Sequence, residues 1–242
     1  MPPLQMSGGH RDKADLELSN IRFMLVMTET VQDYLKAIWM LDRSGSVTTS
    51  ALAERLGVTA ASATAMIKRL ASVGLVRHEP YHGVALTDAG TQAALEVIRH
   101  HRLLELYLMQ ALGLSWDEVH AEAERLEHHL SEALEARIDA ALGHPTRDPH
   151  GDPIPTPELE LAEEDDRPLS ELARGAEAVI RRVPDGDPGL LRYLAELGFL
   201  PDERVVMLAH APFDGPLTVE VAGERHAISR ELAERIRIGG SA

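Results

Sequence analysis

The segment 119–132, VHAEAERLEHHLSE, combines acids and imidazoles at helical spacing. If the segment is helical, His120, Glu124, Glu127 and His128 lie on one side, within an arc of about 100°. Such a group of nitrogen and oxygen donors suits a divalent metal ion. A glutamate-rich helix is also commonly a solvated face, so spacing alone leaves both interpretations open.

Two helices are predicted to carry these donors. The first runs from about residue 88 to 112 and adds His101 and Glu105, which are spaced i, i+4. The second runs from about 116 to 142, with Ser115 as its N-cap. If the two helices pack antiparallel, they can contribute to shared sites. Three further polar residues are predicted to lie on the surface without a role: His100, Glu122 and His129.

The composition restricts the chemistry. None of the 242 residues is cysteine, which excludes thiolate ligands and disulfides and fits a reducing compartment. Hydrophobic residues make up 44% and charged residues 26%, as in ordinary globular proteins. No apolar run is long enough to span a bilayer, and residues 1–23 lack the apolar segment of a signal peptide. We therefore predict a cytoplasmic protein with no membrane partner.

The net charge of −15 argues against nucleic-acid binding, but the charge is unevenly distributed. The stretch 47–83 carries an excess of cations. Its basic residues are Arg55, Lys68, Arg69 and Arg77, against Glu54 and Glu79.

The same stretch has the pattern of a winged helix-turn-helix. After a helix over 29–43, we predict short helices over 49–56 and 60–72, then a hairpin around Tyr81–Gly83. Two short helices joined by a glycine-containing turn and followed by a hairpin are typical of this DNA-binding unit. A small helical hairpin without a DNA role is the alternative.

The second short helix would enter the major groove. Thr49 or Ser50 is predicted to cap the first helix and Thr59 the second. Hydroxyls would reach base edges, methyl groups would contact thymine, and cations would neutralise phosphates. The predicted DNA-contacting residues are Thr49, Ser50, Thr59, Ala60, Ser62, Thr64, Ala65, Lys68, Arg69, Arg77 and His82.

The chain is predicted to be mainly α with small β modules. Strands are expected over 179–183, 204–211, 217–221 and 225–228, with a helix over 188–197, and these make a small β module. The predicted organisation is a disordered arm (1–26), a winged helix-turn-helix domain (27–90), a helical dimerisation and metal-binding domain (91–143), a proline-rich linker (144–168) and the β module (169–242).

Three segments together resemble the diphtheria toxin repressor (DtxR/MntR) family of metal-dependent transcriptional regulators. They are LAERLGVTAASATAMIKRLASVGLV, the pairing of E-x-x-E-H with a downstream D-P-H-G-D-P-I-P, and the C-terminal module. The resemblance implies a homodimer with a winged DNA-binding domain, a helical dimerisation domain and an SH3-like (FeoA-type) C-terminal β domain.

The resemblance also implies metal ligands. A principal site would use Asp33 from the first helix with Glu124, Glu127 and His128. Iron-type members are similar but carry Met in place of Asp33 and Cys in place of Glu124, whereas manganese-type members carry Asp and Glu. Many manganese-type members also have a Glu where this chain has Lys36, so a two-metal cluster of their kind is not expected.

An ancillary site is implied as well. It would use His101, Glu105 and His120, with Asp185 or Asp187 from the C-terminal module. Carboxylates and imidazoles without sulfur suit Mn²⁺ and Fe²⁺. We therefore predict Mn²⁺ first and Fe²⁺ second, with Zn²⁺ or Co²⁺ as substitutes in vitro.

The predicted function is metal-dependent repression of metal-uptake genes from palindromic operators. An ion joining Asp33 to the dimerisation domain would fix the angle of the DNA-binding domain. Two alternatives are a metal-independent winged-helix regulator and a His/Glu metallohydrolase. The chain has no HExxH, no nucleophile motif and no phosphate loop, so we predict no enzyme activity and no small organic substrate.

Overall fold

The computed structural model describes residues 27–42, 47–79, 83–162 and 165–240. They form two compact units that meet in sequence between Ala94 and Leu95. The arm predicted over residues 1–26 lies outside the described residues. Among the helices described, none combines the length and the apolar character needed to cross a membrane.

The first unit has the predicted helix-turn-helix and wing. Its elements are α1 (Glu29–Asp42), α2 (Thr49–Arg55), α3 (Ala60–Ser72), the antiparallel strands β1 (Val76–Glu79) and β2 (Gly83–Leu86), and the start of α4 (Asp88–Leu112).

The N-cap of α3 is the predicted residue, whereas the N-cap of α2 is not. Thr59 has an extended backbone, and its Oγ1 accepts a hydrogen bond from the Ser62 amide at 3.1 Å. For α2 the cap is Thr48, whose Oγ1 accepts from the Ala51 amide at 3.1 Å. Thr49 and Ser50 were wrong as caps because both already belong to the helix, whereas an N-cap residue needs extended backbone.

An apolar stripe on α3 holds the first unit together. Ala63, Ile67 and Leu70 are fully buried, at the spacing that puts them on one helix face. Gly90 lets the first turn of α4 approach the residue before β1, since a Cβ there would lie 2.0 Å from the Leu75 carbonyl oxygen.

The second unit begins with the rest of α4, and the helix predicted over 116–142 is broken. The structure has α5 (Val119–Leu126), a 3₁₀ turn (Glu127–His129) and α6 (Glu132–Ala141). Leu130 and Ser131 are extended, with ψ of 122° and 148°. The break leaves the Glu127 carbonyl without its helical donor, and His100 Nδ1 lies 3.1 Å from that oxygen.

Ser115 was predicted as the N-cap of that helix, and this was also wrong. Its carbonyl oxygen accepts hydrogen bonds from the amides of Glu118 and Val119, which forms a turn before α5.

The predicted linker is folded onto α4 in its first half. The described residues between 143 and 166 contain no helix or named strand, as expected. The Ile154 amide nevertheless donates to the Thr146 carbonyl at 2.9 Å, and the Ile154 side chain is buried against Leu103 and Leu104. Residues 144–156 therefore pack as part of the helical portion.

The elements of the C-terminal module are β3 (Arg167–Pro168), β4 (Glu177–Arg182), α7 (Pro188–Glu196), β5 (Arg204–His210), β6 (Leu217–Val221), β7 (Glu224–Ile228), α8 (Arg230–Arg235) and β8 (Arg237–Gly239). Its six strands form an antiparallel sheet of order β3-β8-β4-β5-β6-β7. Phe199, Leu191 and Met207 are fully buried in its core. The predicted strands and helix are present, whereas β3 and β8 were not predicted, because strands of two and three residues are too short to show a periodic pattern.

Candidate metal centre and DNA interface

Consecutive polar residues on α4 are buried. Arg99, His100, His101 and Arg102 are each less than 8% exposed, and Glu105 is fully buried. Because neighbouring residues on a helix point in different directions, α4 is enclosed on every side here. Buried polar groups require partners, so this row must belong to a network.

His100 was predicted to lie on the surface, and this was wrong. Besides its contact with the Glu127 carbonyl, its Nε2 lies 2.8 Å from Glu135 Oε2 on α6. A single helical pattern could not reveal this burial, because it depends on the packing of α6 against α4. His129 is exposed and Glu122 is partly exposed.

Three of the predicted ancillary ligands lie together. His101 Nε2 and His120 Nδ1 are each 2.9 Å from Glu105 Oε1, and the two nitrogens are 3.1 Å apart. Two ligands at right angles on one ion at about 2.1 Å are separated by about 3 Å. The three side chains therefore fit a common divalent ion.

The sequence predicted no role for His150, although this residue stands in the D-P-H-G-D-P-I-P motif. The side chain is fully buried, with Nδ1 3.5 Å from Glu105 Oε2 and Nε2 3.2 Å from the Trp116 carbonyl oxygen. Neither Glu105 Oε2 nor His150 Nδ1 makes a hydrogen bond within the described residues, and the same holds for Asp148 Oδ2. A buried carboxylate oxygen and imidazole nitrogen that face each other without a hydrogen bond can hold a cation between them.

The loop that carries His150 is built by its neighbours. Asp148 Oδ1 accepts from the amides of His150 and Asp152, each at 2.9 Å. The Val183 amide donates to the His150 carbonyl at 3.1 Å. Gly151 has φ of +92°, and a Cβ there would lie 1.9 Å from a backbone oxygen of β4. The D-P-H-G-D pattern thus holds one imidazole against the C-terminal module.

The buried carboxylates of this cluster favour a positive charge beside them. Burial alone would lower the pKa of His150, but the Glu105, Asp148 and Asp185 carboxylates raise it to about 9. Burial, together with the charges of Glu105 and Asp152, raises the pKa of Asp148 well above its usual value. Burial would also raise the pKa of Glu105, but the nearby histidines lower it well below its usual value.

The C-terminal module supplied two candidate ancillary ligands, Asp185 and Asp187, and the structure places only one of them at the cluster. Asp185 Oδ2 lies 3.9 Å from His120 Nδ1, and Asp185 also groups with Glu105 and His150. Asp187 instead caps α7, with Oδ1 accepting from the amides of Gly189 and Leu190. Asp185 is therefore brought to the cluster, and the cap explains why Asp187 is not.

Glu124 and Glu127, two of the ligands expected at the principal site, lie next to the ancillary cluster, which they contact through His101. Glu127 is 1% exposed, and its Oε2 lies 2.5 Å from His101 Nδ1. His128 Nε2 is 3.7 Å from Glu127 Oε1, and Glu124 Oε1 is 4.0 Å from His101 Nδ1. The fourth expected ligand, Asp33, is partly buried on α1 of the first unit.

The exposed face of α3 carries most of the predicted DNA contacts. Thr59, Ala60, Ser62 and Ala65 are exposed, and so are the cations Lys68, Arg69 and Arg77. The Thr64 hydroxyl donates to the Ala60 carbonyl at 2.7 Å, so its proton is engaged within the helix. Ser50 is exposed and Thr49 partly so on α2. His82 lies outside the described residues.

Comparison with known proteins agrees with this arrangement. Family sequence models match over 26–84 (iron dependent repressor, N-terminal DNA binding domain), 87–156 (iron dependent repressor, metal binding and dimerisation domain) and 167–239 (FeoA domain). The iron-dependent repressor IdeR of Mycobacterium tuberculosis is 33% identical over 226 residues, covering 88% of this chain and 97% of that protein. The chain belongs to the diphtheria toxin repressor family.

Solved structures of this family share the whole fold. A manganese-dependent transcriptional repressor in complex with manganese is 43% identical, with a TM-score of 0.82 over 88% of this chain and 100% of that one. The structure of the manganese regulator SloR is 31% identical, with a TM-score of 0.75 over 89% and 100%. The prediction of a metal-dependent transcriptional repressor with a winged helix-turn-helix and a FeoA-type domain is confirmed, and the chain is not an enzyme.

Proposed function

We propose that this diphtheria toxin repressor family member responds to Mn²⁺, with Fe²⁺ as the second candidate. The observation that carries the proposal is the donor set, which consists of oxygen and nitrogen in a chain without cysteine. Glu124 stands where a sulfur ligand would favour softer metals, and carboxylates suit Mn²⁺. The 43% identity to a manganese-dependent repressor, against 33% to an iron-dependent one, supports the same choice.

Two groups of ligands divide the work in this proposal. Asp33, Glu124, Glu127 and His128 hold the regulatory ion. The cluster around Glu105 holds the ancillary metal, and it includes His150, for which the sequence predicted no role. Its members are His101, Glu105, His120, His150 and Asp185.

The metal-loaded homodimer binds a palindromic operator and represses genes for metal uptake. An ion that takes ligands from both the DNA-binding and the dimerisation domain favours one arrangement of the two recognition helices. Operator affinity then rises with metal concentration, which gives feedback on uptake. Chromosomal operators also require the protein to work in the cytoplasm.

The direct test is a gel shift across metals. DNA would first be selected from a random pool by the Mn²⁺-loaded protein. Binding to that DNA would then be compared in Mn²⁺, anaerobic Fe²⁺, Zn²⁺ and EDTA. We expect retention at the lowest free concentration in Mn²⁺ and none in EDTA. Equal affinity in EDTA would contradict metal control, and a much stronger response to Fe²⁺ would contradict the choice of manganese.

Replacing Lys68 with alanine is expected to weaken binding to all DNA sequences alike. Lys68 is exposed on α3, where its ammonium would neutralise one phosphate. The slope of log K against log salt concentration should fall by about 0.9, as expected for one lost contact. Fluorescence anisotropy at several salt concentrations measures this slope. Arg174→Ala removes an exposed cation from the C-terminal module and should leave it unchanged.

A further inference from the structure

Glu105 presents its two carboxylate oxygens to two different groups of ligands. Oε1 lies 2.9 Å from both His101 Nε2 and His120 Nδ1, whereas Oε2 faces His150 Nδ1 at 3.5 Å. The carboxylate is fully buried between these groups. A residue that only completed one site would not need a second imidazole on its other oxygen.

The imidazoles on both sides have a ring nitrogen directed at Glu105. His101 Nδ1 contacts Glu127 Oε2 at 2.5 Å, which leaves Nε2 on the Glu105 side. His150 Nε2 donates to the Trp116 carbonyl oxygen at 3.2 Å, which leaves Nδ1 as the nitrogen that faces Glu105. A partner on the outer nitrogen is the usual way a protein orients a metal-binding histidine.

The group on the Oε2 side is unsatisfied as it stands. Glu105 Oε2 and His150 Nδ1 face each other, and neither makes a hydrogen bond within the described residues. Buried groups that face each other in this way are stable when a cation lies between them, and that cation is a proton on His150 or a metal ion.

We propose that Glu105 bridges two divalent ions, one on each oxygen. The first ion takes His101, His120 and Glu105 Oε1. The second takes His150, Asp185 and Glu105 Oε2, whose ligand atoms lie within 4.8 Å of one another. Asp185 lies within reach of both groups. This inference rests on the proposed metal function and deepens it, since the ancillary cluster becomes a two-metal centre.

Counting bound Mn²⁺ tests the inference. The full chain would carry Asp33→Ala and His128→Ala, which remove two of the four principal ligands. After dialysis against Mn²⁺, elemental analysis should find two ions per protomer, and electron paramagnetic resonance should show an exchange-coupled pair. Adding His120→Ala or His150→Ala should each remove one ion and the coupling. Adding both should remove both ions.

The controls separate this inference from the proposed function. Asp187→Ala, two residues from Asp185, removes only a helix cap and should leave the count at two. Because His150 is fully buried, His150→Gln is a second variant that keeps more of the side-chain volume, and circular dichroism checks that both variants fold. One ion, lost equally with either histidine, would overturn the two-metal centre and leave a single ancillary metal. No ion in this folded variant would overturn the ancillary metal as well, whereas the regulatory ion of the proposed function is tested in the chain that keeps Asp33 and His128.

Discussion

Replacing Asp33 with alanine is expected to abolish metal-dependent operator binding while leaving the homodimer intact. In our proposal Asp33 is the one ligand from the DNA-binding domain, and the other three belong to the metal-binding and dimerisation domain. Without it, an ion held by Glu127 and His128 no longer distinguishes the DNA-binding arrangement from others. Coupling of this kind is typically about 5–150-fold in affinity, and that gain should disappear.

The measurement is operator affinity with Mn²⁺ and with EDTA, together with size-exclusion chromatography. Asp42→Ala is a matched control, because Asp42 is an exposed acid at the end of the same helix. It should keep the full response to Mn²⁺. If Asp33→Ala retained the gain, the ion would not act through the DNA-binding domain, and the assignment of the principal site would be wrong.

The sequence predicted the fold well where periodicity is strong. The stripe of Ala63, Ile67 and Leu70 has helical spacing, and the helix predicted over 60–72 has the bounds Ala60–Ser72 in the structure. The break at Leu130 was missed because 119–142 has continuous helical character, and extended backbone at two residues leaves little trace in such a pattern. The arc calculated for His128 therefore rested on a continuous helix that the structure replaces with a 3₁₀ turn.

The candidate site was predictable only in part, for a physical reason. Spacing rules compare residues within one helix, so they find pairs such as His101 and Glu105. His150 lies in a loop without regular structure, and only packing brings it to the same carboxylate. The motif around it was visible in the sequence, and the close approach of Gly151 to β4 explains why the loop has that pattern. The contact between His150 and Glu105 was not predicted because the two residues are far apart in the sequence.

Replacing Arg102 with alanine is expected to lower the free energy of unfolding of the second unit by about 3–5 kcal/mol, since it leaves the buried Asp148 carboxylate, 3.8 Å from the guanidinium, without that cation. Arg102 is 4% exposed and donates to the Pro153 carbonyl. It also pairs with Asp152 at 3.2 Å, and Arg182 of β4 reaches the same carboxylate at 3.1 Å. The guanidinium therefore connects α4 to the loop that contains Asp152 and Pro153, and Asp152 connects that loop to β4 of the C-terminal sheet.

Urea unfolding followed by Trp116 fluorescence measures this effect. The chain has two tryptophans, so a Trp39→Phe background limits the signal to the second unit. EDTA removes any stabilisation by bound metal.

Arg125→Ala is the control, because that side chain is 70% exposed and pairs only with Glu122 among the contacts described; it should cost no more than about 1 kcal/mol. Arg102→Lys should recover only part of the loss, because an ammonium cannot reproduce the forked donors. Equal stability of the Arg102→Ala and Arg125→Ala proteins would show that the buried network contributes nothing beyond a surface pair.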